Sequence, residues 1–222
     1  MKKLFVAVLA LVSAAAMPSG AAAQITLGLH AGPTWSRIST ADDEVRMENR
    51  QGINAGVSLT VPLSGAFSLR PGLLYRSAGS EATTMIEQVS VSAVAELAYL
   101  DFGVLGRLDV PIAGRAVSAY VLFGPSVGYN LSCEAAIIID GTRAGGDCGT
   151  TMDNGPSVEG SVPDFDVGLS LGWGVSLALS RSLRLGAEVV YTRGLSNIGD
   201  ADDPSRNRGI MALAGFEFTL GS

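Results

Sequence analysis

From Asp164 to Leu179 the sequence DFDVGLSLGWGVSLAL alternates without a break. Taking every second residue gives Phe165, Val167, Leu169, Leu171, Trp173, Val175, Leu177 and Leu179 on one side. The other side carries Asp164, Asp166, Gly168, Ser170, Gly172, Gly174, Ser176 and Ala178. A period of two is the geometry of a β-strand, in which successive side chains point to opposite faces. At 16 residues this strand outruns the usual length in soluble sheets, about five or six residues. One face suits hydrocarbon and the other a crowded, wet interior, which is the pattern of a transmembrane β-barrel strand.

The first 23 residues are excluded from the fold. Lys2 and Lys3 precede an apolar run from Leu4 to Ala16, a helix-breaking Pro18-Ser19-Gly20, and Ala21-Ala22-Ala23 before Gln24. This is the form of a secretory signal peptide with a small-residue cleavage site. Its apolar run is shorter than the ~20 residues of a spanning helix, and no later run approaches that length. Cleavage would leave one domain, residues 24–222, with no cysteine at the new terminus for a lipid anchor. It would also remove both lysines, leaving 13 arginines against 21 acids. So acidic a chain lacks the clustered basic surface that nucleic acid requires, and no nucleic-acid partner is expected.

Seven further stretches repeat the alternation. In chain order, strands are expected over Ile25 to Ser36, Ile53 to Val61, Phe67 to Arg76, Val94 to Val110, Val117 to Tyr129, Leu183 to Thr192 and Ile210 to Leu220. The connections alternate in length. Long ones run from Ile38 to Arg50, Gly79 to about Ala93, about Leu131 to Pro163 and Ser196 to Asn207; short ones are Pro62 to Ala66, Pro111 to Arg115 and Ser180 to Ser182. The expected architecture is all-β: an eight-stranded antiparallel up-and-down transmembrane barrel, with short periplasmic turns and long extracellular loops. An even strand number lets the sheet close without an edge. A soluble lipocalin-type barrel is the rival fold, and it would need the apolar face inside.

Aromatic positions support the membrane assignment. Trp35, Tyr75, Tyr129, Phe165 and Tyr191 share the apolar parity, each at the long-loop end of its strand. They form an expected belt at one interface, with Phe67, Phe216 and Phe218 as a sparser belt at the other.

YLDFGVLGRLDV (Tyr99 to Val110), YVLFGPSVGYNLS (Tyr120 to Ser132), LRLGAEVVYTRGLSNI (Leu183 to Ile198) and MALAGFEF (Met211 to Phe218) resemble the small outer-membrane β-barrel proteins labelled porin-family or PorT-like. The resemblance spans nearly all of the chain after the leader and implies residence in the cell outer membrane. Outer-membrane lipid, lipopolysaccharide and the barrel-insertion machinery would then be its partners. Family members generally end on an aromatic residue read by that machinery, whereas this chain continues Thr219-Leu220-Gly221-Ser222 after Phe218.

Cys133 and Cys148 flank Asp140-Gly141, a favoured two-residue hairpin turn, at equal distances. A hairpin centred there sets them directly opposite, at a Cα separation of ~4.5–5.5 Å that a disulfide tolerates. Export makes oxidation permissible.

The sequence offers little chemistry beyond this. His30 is the single histidine, on the interior parity, and no serine can be matched to it from sequence. Neither metal-ligand spacing nor a dinucleotide-type glycine run occurs, so no enzyme activity, cofactor or metal is expected. The interior parity instead carries Arg70, Arg76, Asp101, Arg107, Asp109, Asp166, Arg184, Glu188 and Glu217. An eight-stranded barrel has room inside only for side chains, and buried charges must pair. We therefore expect a lumen plugged by ion pairs, with Arg184 and Glu188 in the network. Acidic loop residues Asp42, Asp43, Glu44, Glu48, Glu134, Asp140, Asp147, Asp153, Glu159, Asp200, Asp202 and Asp203 suit a solvated rim, or divalent cations beside lipopolysaccharide phosphates. Three roles fit: a structural or interaction barrel displaying its loops to an unidentified extracellular ligand, a narrow porin-like channel, or a component of a secretion apparatus.

Overall fold

A computed structural model describes residues 24–39, 48–86, 89–113, 116–140, 142–148, 163–197 and 205–220. The leader and most of the acidic loop positions (Asp42, Asp43, Glu44, Asp153, Glu159, Asp200, Asp202 and Asp203) lie outside these residues. Nine strands are described: β1 Thr26–Ser39, β2 Glu48–Ser64, β3 Phe67–Ile86, β4 Val89–Ala113, β5 Val117–Ile139, β6 Thr142–Asp147, β7 Phe165–Ala178, β8 Leu183–Gly194 and β9 Arg206–Thr219.

Eight of them close a ring in the order β1, β2, β3, β4, β5, β7, β8, β9, and β9 pairs back with β1. Every neighbouring pair is antiparallel. The ninth strand, β6, stands outside the ring as the return arm of a hairpin on β5. Closure matters because hydrocarbon offers no partner for a free strand edge.

The alternation of the sequence becomes the two faces of the wall. Leu29, Val57, Leu73, Phe102, Phe123, Leu171, Trp173 and Phe216 are exposed on the outside. On the inside a cluster of Tyr120, Leu122, Val190, Met211 and Leu213 packs with Leu74 and Leu105. A second cluster nearer the long-loop end joins Ala78, Leu97 and Tyr99 to Ile38 and Cys133. Such a distribution excludes the lipocalin-type alternative, whose exterior would be polar.

Two of the expected connections are largely strand where they are described. The segment from Gly79 to Ala93 continues β3 and β4 as a hairpin reaching Ile86 and Val89. Leu131 to Ile139 continues β5, with β6 paired beyond it. Together the ends of β3, β4 and β5, with β6, build a wall beyond the ring. This wall extends past the aromatic residues Tyr75 and Tyr129, and the alternation that marks the other strands is not kept there. Thr83 and Ser92, paired across β3 and β4, join through their hydroxyls at 2.9 Å.

Candidate functional site in the barrel lumen

All nine charged residues of interior parity fall on strands of the ring. Eight of them occupy three tiers. Nearest the short turns, Arg107 on β4 reaches Glu217 on β9 through Nη1 at 2.5 Å and grips Asp109 at 3.0–3.1 Å. In the middle, Arg70 on β3 donates to Glu188 on β8 at 2.6 and 3.2 Å. Nearest the long loops, Arg76 on β3 donates to Asp101 on β4 at 2.5 and 3.2 Å and lies 3.7 Å from Asp166 on β7.

The ring order makes two of these pairs transverse. β3 and β8 are four strands apart in a ring of eight, as are β4 and β9. Arg70–Glu188 and Arg107–Glu217 therefore span the lumen from wall to wall, and the side chains of all four residues are at most 5% exposed. A buried charge is tolerable only when its partner and its hydrogen bonds are both in place.

Tyrosines complete the tiers. The Tyr120 hydroxyl donates to Glu188 at 2.8 Å, while the Arg107 guanidinium lies 3.9 Å from the centre of the same ring. One phenol thus links the middle tier to the lower one. Arg76 stacks 4.6 Å from the Tyr99 ring, and Asn207 donates to both Tyr99, at 3.3 Å, and Asp166, at 2.9 Å. Tyr120 fits because its ring lies over Gly174, where an added Cβ would collide with the phenol.

His30 does find a serine. Its Nε2 lies 2.8 Å from Ser58 Oγ, but also 2.7 Å from Arg70 Nη2, and Arg70 Nε donates to Ser58 at 3.1 Å. An imidazole nitrogen has one lone pair. With Arg70 donating to it, Nε2 has none left for the Ser58 proton, so the pair does not form a nucleophile and base. Its geometry is that of a brace holding the Arg70 guanidinium toward Glu188.

Arg184 sits apart from Glu188. It donates to Ser176 and Ser118 hydroxyls at 3.0 Å each, while Glu188 turns to Arg70 and Tyr120. Two cavities flank the ionic tiers. One of about 90 Å³ extends from Arg70 and Glu188 toward Asp101, Ser126 and Thr192. The other, about 240 Å³, lies at the short-turn mouth between Arg107, Glu217 and Arg184. The crossing pairs stand between them.

Outside, Trp35, Tyr75, Tyr129, Phe165 and Tyr191 are all exposed, and the Tyr129 and Phe165 rings meet at 5.4 Å between centroids. On the wall, Cys133 and Cys148 form a disulfide with their Cα atoms 5.4 Å apart, and Asp140 takes a positive φ of 46° at the turn. Glu96 binds Arg50 at 3.1 Å and Arg143 at 3.2 Å on the same wall, and Arg143 lies 3.8 Å from Glu134.

A sequence reading by parity placed the charges inside but left the tyrosines and Asn207 without a role. A large polar ring on interior parity opposite a glycine of the next strand is the signal that marks Tyr120. Tyr120 faces Gly174 in the β5–β7 register in this way.

Comparison with known proteins agrees with this architecture. A family model described as an outer membrane protein β-barrel domain matches residues 16–200. No curated protein matches the sequence. Among solved structures, Neisserial surface protein A is similar over 87% of this chain and 97% of its own, at 13% identity and a TM-score of 0.44. Ail, the attachment invasion locus protein of Yersinia pestis, is similar over 88% and 99%, at 14% identity and a TM-score of 0.39. The N-terminal β-barrel domain of Pseudomonas aeruginosa OprF is similar over 89% and 99%, at 11% identity and a TM-score of 0.40.

Proposed function

The chain belongs to the outer membrane protein β-barrel domain family, and from that premise we propose that it is a closed structural barrel of the outer membrane. In this reading it follows export behind a cleaved leader, is seated by the barrel-insertion machinery, and acts through what it displays outside. One observation carries the proposal: two ion pairs, Arg70–Glu188 and Arg107–Glu217, cross the lumen from opposite walls. A solute path would have to part both, leaving charges buried without partners, which is strongly unfavourable.

What is displayed is the wall of β3, β4, β5 and β6. From Tyr75 in the belt to Met85 near the tip of β3 is ten residues of extended chain. At ~3.3 Å per residue and a strand tilt of ~40° that carries the tip roughly 25 Å beyond the interface. A wall of this height with an ion-pair cluster on it is a platform for an extracellular ligand. The test is electrical: purified protein in a planar bilayer is expected to give no stable, large unitary conductance. A steady open level from the pure protein would favour the porin-like alternative and overturn the closed barrel.

A further inference from the structure

The outer surface carries a row of arginines that neither the lumen nor the wall uses. Arg37 on β1 pairs in register with Arg208 on β9, and Arg208 pairs with Arg193 on β8. All three have the outward parity of the lipid-facing residues, and Arg37 and Arg193 are exposed. The row two residues nearer the membrane centre is Trp35, Ile210 and Tyr191, also in register. Arg206, two residues further out on β9, is exposed on the same face.

Like charges directly opposite on neighbouring strands destabilise a sheet. None of these four arginines makes an ion pair with a described carboxylate. Among the described residues, Arg208 donates to the Ser39 hydroxyl. Three guanidiniums in one row, with no ion-pair partner among the described residues, call for an external anion. One step of the strand, ~6.6 Å beyond the aromatic belt, puts them at headgroup depth. Planar guanidinium forks suit phosphate oxygens.

We propose that Arg37, Arg193 and Arg208 form a binding site for the phosphates of a phosphorylated outer-leaflet lipid. The site lies on the outer surface of the barrel and holds whether or not the lumen conducts.

Native mass spectrometry of the detergent-solubilised full-length barrel tests this, with bisphosphorylated lipid A, dephosphorylated lipid A and inorganic phosphate as separate probes. The wild type should retain the bisphosphorylated lipid, and Arg37→Gln/Arg193→Gln/Arg208→Gln should bind it roughly a hundredfold more weakly, from about a fivefold contribution per charge. Dephosphorylated lipid and inorganic phosphate should be held poorly by both proteins. Equal retention by the triple variant would overturn the site. So would wild-type indifference to lipid phosphorylation, and so would inorganic phosphate binding as tightly as the lipid. Loss of dimers in the triple variant with lipid binding unchanged would assign the row to a second copy instead, and also overturn it. Should the triple variant lack the migration of a folded barrel, Arg193→Gln alone carries the test, with an expected loss of about fivefold.

Discussion

Glu188 shows how much rests on single side chains in this barrel. It accepts from Arg70 and from Tyr120, and Arg70 is itself braced by Ser58 and His30. Removing the carboxylate charge leaves a buried guanidinium without its counter-ion. Glu188→Gln is therefore expected to destabilise the barrel by about 3–5 kcal/mol, read as a lower urea midpoint for unfolding from detergent micelles. Adding Arg70→Met to Glu188→Leu removes both charges and should recover most of that loss. A Glu188→Gln barrel as stable as the wild type would show that the crossing pair bears no net load. The sequence placed Arg70 and Glu188 inside by parity alone. Their partnership was not legible, because it depends on every register between β3 and β8 around half the ring.

At the scale of elements, strands were legible wherever one face meets lipid and the other the lumen. Phe165–Ala178 lies within two residues of its expected bounds for that reason. Where β3, β4 and β5 leave the membrane the alternation loses its reason to exist: Gly79 to Ala93 took on the polar look of a loop, and Leu131 to Ile139 ends in the unalternating run Ala135-Ala136-Ile137-Ile138-Ile139. The cysteine hairpin was the exception, since Asp140-Gly141 and the spacing of Cys133 and Cys148 mark a turn and a rung without help from periodicity. Closing so short a loop stabilises the ordered hairpin by roughly 3 kcal/mol in the chain-entropy picture. Cys133→Ser/Cys148→Ser should consequently open the β5–β6 hairpin to protease while leaving the β5–β7 pairing and the ring intact. Unreduced wild-type protein is expected to resist thiol labelling, and labelling without reductant would contradict the bridge.

For the whole molecule, the closed ring, the apolar exterior and the alternation of ends were legible together, because an even count of amphipathic strands has one closure that leaves no edge in hydrocarbon. The clearest check is heat-modifiable migration on gels. Unheated samples from the membrane fraction should run at a different apparent size from boiled ones, and the difference should disappear in protein unfolded beforehand. Identical migration, or recovery in the soluble fraction, would argue against a membrane barrel. The functional site was less legible than the fold, since charge type and parity define a plug but name nothing that binds outside it.

The wall rises from β3, β4 and β5, while the arginine row runs across β1, β9 and β8, on the opposite arc of the ring. A barrel is often pictured as a cylinder that looks alike from every bearing in the membrane plane. This one has a compass: a neighbour diffusing in from one side meets a tall ledge of strand, and from the other a row of arginines. Its contacts within the membrane therefore depend on azimuth, even though the wall that crosses the bilayer is nearly uniform around the ring.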